Sequence, residues 1–403
     1  MHIGLCSPHW PPSEGANGIV SYVAAVREHF SAKGHLVSVI SQGRLFSSDG
    51  DVVAIPPMAQ SWRGKLKERV GRRIGPRGAL GEVGNRIAQE VAGANRIRPF
   101  DVLEMEESFG WSEIVRRRTG LPVVTRLHGP WFLKPVRERT AEQERADRSR
   151  CLAEATAVRS APLITAPTRA IMEATCTRCG RDPNKSSAVI ANPIKITADR
   201  PQWRLDACER DHILMIGRFD EVKGADTLLM AFQRLLELRP SARLTLVGPD
   251  RGIEIRPGHA IGFEAYARAS LSPETREHIT FKGLLSPEEV AKLRTKAHVT
   301  VVSSRWENFP YVLLEGFAAG SPMISTDWPG SDEILVHGET GLLTPVGQPN
   351  TMAEHLDWLL SQPDAAARIG AAGKKRCSEV FSVEVVGDQI LQQYEAVLQS
   401  RAR

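Results

Sequence analysis

Ser303-Ser304-Arg305-Trp306-Glu307-Asn308-Phe309-Pro310-Tyr311-Val312-Leu313-Leu314-Glu315-Gly316-Phe317-Ala318-Ala319-Gly320-Ser321-Pro322 is the stretch on which the reading of this chain turns. Val299 to Val302, just before it, is a short apolar run of the kind a buried strand carries. The polar loop that follows holds Asn308 and Pro310. Val312, Leu313, Leu314, Phe317 and Ala318 then lie at helical spacing, and Gly320 with Pro322 stops that helix. Met323 to Thr326 is the next strand. Glu307 thus falls in the loop leaving a strand, and Glu315 on the helix after it. In an open α/β sheet that edge is where ligands bind.

A spaced pair of glutamates is weak evidence alone. With its loop, helix and Gly-x-Pro stop, the pair resembles the E-G-F-x-x-x-x-L-E-A-x-A-x-G-x-P pattern of the retaining GT-B glycosyltransferases of family 4. The corresponding residues are Glu307-Asn308-Phe309, Leu314-Glu315, Ala318, Gly320 and Pro322. The plain alternative is that Glu315 only caps or solvates a helix face.

The rest of the chain narrows the choice. With 403 residues it is too long for one ordinary core, so two domains are expected. A composition of 42% hydrophobic and 25% charged residues argues against disorder. No apolar run approaches the ~20 residues of a membrane span. Met1 to Cys6 looks like a strand with no signal-peptide pattern, so a cytoplasmic protein is expected, its six cysteines reduced. Cys176 and Cys179 form a lone C-x-x-C, read as the end of a helix rather than a metal or redox site. Asp49-Gly50-Asp51 reads as a turn and not as a metal motif.

Net charge is only +5, but ten Lys/Arg crowd between Arg63 and Arg98 against three Glu. Such a patch suits an anionic acceptor or the anionic face of a membrane, and equally a solvated surface. Nucleic acid is not expected, since no stacking aromatics or reading motif accompany the charge.

In the first half, His2 to Cys6 is a strand and Ser7 to Asn17 a Pro/Gly-rich loop. A helix begins at Gly18, with Ile19, Tyr22, Val23, Val26 and Phe30 on its apolar side. Leu36 to Ile40 is the next strand, completing one parallel unit. Asn17 can cap the helix, and Gly18 lets a ligand approach its exposed N–H groups. Trp62 to Val70 and Gly81 to Ile97 are expected helices, and Asp101 to Met105 and Pro122 to Arg126 strands. His128 leaves the second of these beside Gly129, in a segment similar to the family's T-x-H-G. A long polar helix is expected over Glu138–Val158, and a shorter one over Thr168–Cys176.

Ala191 to Arg204 has the polar and Pro content of a linker. Beyond it His212 to Ile216 is a strand, followed by Gly217-Arg218-Phe219-Asp220-Glu221-Val222-Lys223-Gly224 and a helix carrying Leu228, Leu229, Phe232 and Leu235. The G-R-x-x-x-x-K-G order matches the family closely. Two cations and a helix N-terminus would converge there on a diphosphate. Neither a Walker loop nor a G-x-G-x-x-G fingerprint is present.

The resemblance implies an α/β GT-B fold: two Rossmann-like domains facing across a central cleft, with the C-terminal helix returning to the N-terminal domain. The expected bounds are 1–195 with 382–403 for the acceptor domain, and 205–381 for the nucleotide-sugar domain. It implies a retaining, metal-independent glycosyltransferase that uses no cofactor. The donor would be a UDP- or GDP-sugar, and the acceptor a carbohydrate, lipid-linked or small molecule. By the same resemblance, Glu307, His128, Arg218 and Lys223 are catalytic. Gly18, Gly217, Arg218, Lys223, Leu284, Glu307, Asn308, Phe309, Pro310 and Glu315 hold the donor, Glu315 through the ribose hydroxyls. Two rivals are a nucleotide-sugar hydrolase or epimerase of the same fold and a catalytically silent sugar-nucleotide-binding subunit.

Overall fold

The computed structural model describes residues 1–14, 17–56, 76–134, 140–256 and 258–402. The helix expected over Trp62–Val70 and the basic residues from Arg63 to Arg73 lie outside them. The chain divides into two compact units, Met1–Lys195 with Val383–Arg403, and Ile196–Ser382.

The first unit is built on one sheet of β1 (His2–Cys6), β2 (Leu36–Ser41), β3 (Arg44–Ser47), β4 (Val52–Ala54), β5 (Val102–Glu106), β6 (Val123–Arg126), β7 (Leu163–Ala166) and β8 (Ser187–Val189). The strand order is β4-β3-β2-β1-β5-β6-β7-β8. All neighbours are parallel except β2/β3 and β3/β4. Strands covered on both faces need continuous apolar runs, and Ile3, Leu5, Val37, Val39, Val102, Leu103, Val123 and Val124 are all buried. Helices among the described residues follow the strands: α1 (Gly18–Ala32), α2 (Pro76–Ile97), α3 (Trp111–Thr119), α4 (Ala141–Ser160) and α5 (Arg169–Cys179). The stripe Tyr22, Val23, Val26 and Phe30 of α1 is buried, each apolar side chain contributing about 1.5–3 kcal/mol. Asn17 caps α1, its side-chain oxygen accepting from Val20 N–H at 2.9 Å.

Asp49-Gly50-Asp51 joins β3 to β4. Arg98 donates to Asp49 at 2.5 Å and to Asp51 at 2.6 Å. One cation of the basic stretch therefore serves this turn. Cys176 and Cys179 lie buried and unlinked near the end of α5. Burial pushes both thiols above their usual range, Cys179 to about 11, which suits inert packing groups.

The last helix, Val383–Ala402, belongs to this first unit. Val386, Ile390 and Tyr394 are its buried side, and Tyr394 meets Phe30 of α1 edge-on at 5.9 Å. His29 and Asp388 close the same contact with a 2.8 Å bond.

The second unit has a six-stranded sheet, all parallel. Numbered in chain order with a smaller sheet, its strands are β9 (Glu209–Ile216), β10 (Phe219–Asp220), β11 (Arg243–Val247), β12 (Asp250–Arg256), β13 (His259–Ile261), β14 (Ile279–Phe281), β15 (Ala297–Val302), β16 (Met323–Thr326) and β17 (Leu342–Thr344). The large sheet runs β14-β11-β9-β15-β16-β17 and the small one β10-β12-β13. The helices here are α6 (Ala225–Leu238), α7 (Phe263–Ser270), α8 (Pro273–Glu277), α9 (Pro287–Lys296), α10 (Tyr311–Ala319), α11 (Ser331–Ile334), α12 (Pro349–Ser361) and α13 (Pro363–Arg376). Ile213, Met215, Leu228, Leu229, Phe232, Leu244, Val299 and Val301 form its core.

These are the two Rossmann-like α/β units that the resemblance implies. In the large sheet of each unit the order reverses once. The chain builds outward from β9 to β11 and β14, then crosses to β15 on the other side of β9. In the first unit it builds outward from β1 to β4, then crosses to β5. The exits of the two strands at such a reversal diverge and leave a crevice. No helix among the described residues is long and apolar enough to cross a membrane.

Candidate functional site

The crevice of the second unit lies between the exits of β9 and β15. After β9, Gly217 N–H donates to Val247 O at 2.8 Å, and Phe219 N–H to Pro249 O at 2.9 Å. Gly248 N–H donates to Gly283 O at 2.8 Å, so the loops leaving β9, β11 and β14 are laced together. Leu284, next to Gly283, stands out into solvent, 76% exposed.

Asp220 then organises the cations. Its Oδ2 accepts from Arg218 Nε at 2.6 Å, and its Oδ1 from Lys223 N–H at 2.8 Å. The Lys223 ammonium reaches across to Glu307 Oε1 at 2.5 Å. Ser304 Oγ donates to the same oxygen at 2.7 Å. Three of the sequence-derived site residues, Arg218, Lys223 and Glu307, are thus one connected cluster. The cluster has two cations and two carboxylates, so its formal charge sums to zero. The two cations expected from the motif are both here, each held by a carboxylate. Donors remain on both: among the described residues the terminal nitrogens of Arg218 make no hydrogen bond, and an ammonium has three hydrogens.

Two further stitches fix the β9 and β15 exits against each other. Ser303 Oγ donates to Lys223 O at 2.9 Å, and Arg305 N–H to Val222 O at 2.8 Å. The Arg305 guanidinium forks onto Asp226 at 2.7 and 2.5 Å. A bidentate pair of this kind holds geometry as well as charge.

Glu307 and Asn308 are each 9% exposed and Phe309 6%. Phe309 packs edge-on against Phe381, centroids 5.9 Å apart. Pro310 is the N-cap of α10 and brings no side-chain cap. Glu315, on the same helix, accepts from Arg294 of α9 at 2.5 Å. The Arg294 side chain is 4% exposed against 37% for Glu315. Burial works against the Arg294 charge, and Glu315 sustains it.

Gly18 and His128 belong to the first unit. Gly18 opens α1. His128 follows β6, its backbone N–H donating to Glu107 Oε2 at 2.8 Å. Its ring meets Tyr22 edge-on at 5.0 Å. Burial, with nearby Arg126 second, pushes the imidazole down to about 3, so it is neutral.

Two family models match consecutive halves of the chain: Glycosyltransferase Family 4 over residues 16–197 and Glycosyl transferases group 1 over 198–376. The chain belongs to the group 1 glycosyltransferases. The chain spans about half the length of several curated relatives it matches, 44–48% of their own length. A D-inositol 3-phosphate glycosyltransferase of Nocardioides sp. is 25% identical over 96% of this chain and 87% of that one. Sucrose-phosphate synthase of Thermosynechococcus elongatus shares the fold at a TM-score of 0.75, with 21% identity and 99% of each chain covered. Anabaena HepE in complex with UDP-glucose shares it at 0.66, with 15% identity, covering 98% of this chain and all of that one.

The motif residues do not complete the cluster. Asp220, Ser304, Asp226 and Arg294 were not singled out from sequence. Asp220 sits inside the G-R-x-x-x-x-K-G motif, and its role there is carried by its two bonds, from Arg218 Nε and from Lys223 N–H. Arg294 lies among Lys292, Arg294 and Lys296 on α9, and no sequence signal separates the buried cation from the solvated ones.

Proposed function

We propose that this glycosyltransferase moves a sugar from a nucleoside-diphosphate sugar to an acceptor hydroxyl with retention of configuration, without a metal. The second unit holds the donor and the first unit most of the acceptor. The observation that carries this reading is the Lys223–Glu307 pair at the sheet reversal between β9 and β15. Arg218 and Lys223 take the diphosphate with the donors that Asp220 and Glu307 leave over. Negative charge grows on that diphosphate as the sugar–oxygen bond breaks, so the cations bind the transition state more strongly than the ground state. Glu307 and the backbone of Asn308 and Phe309 hold the sugar hydroxyls; Pro310 has no N–H to offer. The departing phosphate oxygen takes the acceptor's proton on the same face. HepE, solved with UDP-glucose, supports a UDP-sugar as donor.

The test is thermal unfolding with UDP-, GDP-, dTDP- and ADP-sugars. At a hundred times its Kd a native-state ligand adds about 2.7 kcal/mol, or roughly 5 °C or more for a domain of this size. A shift with one base and not the others identifies the donor. No shift with any of the four overturns the proposal.

Arg294 gives a separate expectation. It holds one oxygen of Glu315 and leaves the other for the ribose. In Arg294→Met the carboxylate loses a charged hydrogen bond of about 1.5–3 kcal/mol and swings freely. Donor Kd rises about tenfold or more, while kcat changes less than about threefold, because the ribose is remote from the bond that breaks. Calorimetric titration with the donor and steady-state kinetics check the split. A fall in kcat with unchanged Kd would move Arg294 and Glu315 out of ribose binding.

A further inference from the structure

The first unit has its own sheet reversal, between β1 and β5, and the β5 exit is acidic: Glu104, Glu106 and Glu107 in four residues. Glu107 is 1% exposed. Its Oε2 accepts the His128 backbone N–H, and its Oε1 is buried with no hydrogen-bond partner among the described residues. Glu154 of α4, fully buried, holds the same two loops. Its Oε2 accepts from Trp131 N–H at 2.7 Å, and its Oε1 from Phe109 N–H at 3.1 Å and Arg150 Nε at 2.7 Å. The Arg150 guanidinium lies 3.8 Å from the Phe109 ring centroid and 4.2 Å from that of Trp131.

The two glutamates therefore hold the two ends of one short segment, Glu107 at His128 and Glu154 at Trp131. The β5 exit is pressed onto α4 to allow it. Phe109 takes a φ of 57°, and Gly110, at 70°, has no room for a side chain: a Cβ would lie 2.4 Å from Ala153 O. This arrangement fixes the loop that leaves β6.

We propose that Glu107 is a positioning residue for His128: its buried carboxyl, opposed by Glu154, sets the loop that presents the His128 ring. This rests on the reading that His128 works at the reacting end of the first unit.

The charge state follows from the surroundings. Burial first, then Glu154 and Glu106, push Glu107 from 4.5 up to about 8. Arg150 on α4 and Lys134 beyond the loop act on the neighbouring Glu106, and Arg126 acts on the neutral His128 at the β6 exit. Below about pH 8 the Glu107 carboxyl is therefore held neutral. A neutral carboxyl leaves Oε1 buried at far lower cost than a carboxylate would. Above about pH 8 Glu107 itself becomes charged in this buried place, and the β6 exit loop loosens. The sign for stability agrees. The folded state keeps a proton that the unfolded chain releases above 4.5, so this contribution is complete below that pH and is lost as pH rises to about 8.

Wild type, Glu107→Gln and Glu107→Ala are compared by hydrogen exchange of the His128–Trp131 segment and by hydrolysis of UDP-glucose, from about pH 6 to about pH 9. In wild type, protection of the His128 amide, corrected for intrinsic exchange, falls at least about tenfold across that range, and turnover falls with it. Glutamine still accepts from the His128 N–H and cannot ionise. Glu107→Gln therefore keeps its protection, most of its neutral-pH turnover and a flat alkaline limb. Glu107→Ala is about tenfold less active throughout. If Glu107→Gln loses protection at alkaline pH as wild type does, or if Glu107→Ala leaves it unchanged, the proposal fails. A wild type that does not turn over UDP-glucose counts against that donor alone, and the exchange comparison still decides the role of Glu107.

Discussion

Lys223→Ala lowers kcat at least about 10²-fold, while donor KM rises by less than about tenfold. The asymmetry follows from where the charge develops. In the ground state the diphosphate is already anionic and partly solvated. As the sugar leaves, a further negative charge gathers on the phosphate oxygen beside the Lys223 ammonium. A preorganised cation at such a place supplies about 2.7–4 kcal/mol, which is the stated range in rate. Steady-state kinetics with the identified donor measure it, and a near-wild-type kcat removes Lys223 from the mechanism.

Glu307→Ala should be equally damaging, since the two side chains share a 2.5 Å bond. The double variant separates a pair from two independent groups. If Lys223 and Glu307 act as a unit, Lys223→Ala with Glu307→Ala loses little more than either alone. Losses that multiply would mean that the bond between them is incidental. Stability behaves differently. With its side chain 11% exposed, Glu307 in Lys223→Ala keeps only Ser304 as partner among the described residues, at a cost of about 1–3 kcal/mol. Adding Glu307→Gln removes the stranded charge and recovers most of that in urea unfolding, with no recovery of turnover. A charge pair that matters for chemistry and not for folding should show this divergence.

Each member of that pair was legible in the sequence, but their contact was not. Lys223 and Glu307 each stand in a short motif behind an apolar run, which places each at a strand exit. They are 84 residues apart, and only the crossing from β14 to β15 makes β9 and β15 neighbours. The long apolar runs and their helices were readable for the same reason: buried parallel strands and one-sided helices impose a period on the sequence. The segment from Asp250 to Glu277 carries no periodic pattern in the sequence. Its strands and helices are short and polar, and its closure depends on Asp250 Oδ2 accepting from Phe263 N–H at 2.8 Å and on Phe263 stacking on Phe281 at 4.9 Å. Those contacts are tertiary and leave no periodic trace. Arg218 shows the complementary case. Its motif correctly marked it as a cation at the site, but the motif alone could not show that Asp220 holds it.

Gly224→Ala should be the most destabilising single-methyl change in the second unit, costing about 4–5 kcal/mol and abolishing turnover. Gly224 is the N-cap of α6 and sits at a φ of +63°, where an L side chain is strained by about 1–2 kcal/mol. The larger part is steric. A Cβ there would lie 1.9 Å from Ser303 O and 2.8 Å from its carbonyl carbon, both backbone atoms at the end of β15. Neither can yield without breaking the Ser303 to Lys223 and Arg305 to Val222 bonds that join the two strand exits. The loop carrying Lys223 would then move away from Glu307. Because two costs are combined, a comparison is needed: Gly338, at +76° with nothing within 4 Å, meets only the backbone strain. Gly338→Ala should lose about 1–2 kcal/mol and keep its turnover. Equal losses at both positions, by urea unfolding, would show that the crevice tolerates a methyl group, and that the β9 and β15 exits are not held as closely as the Lys223–Glu307 bond requires.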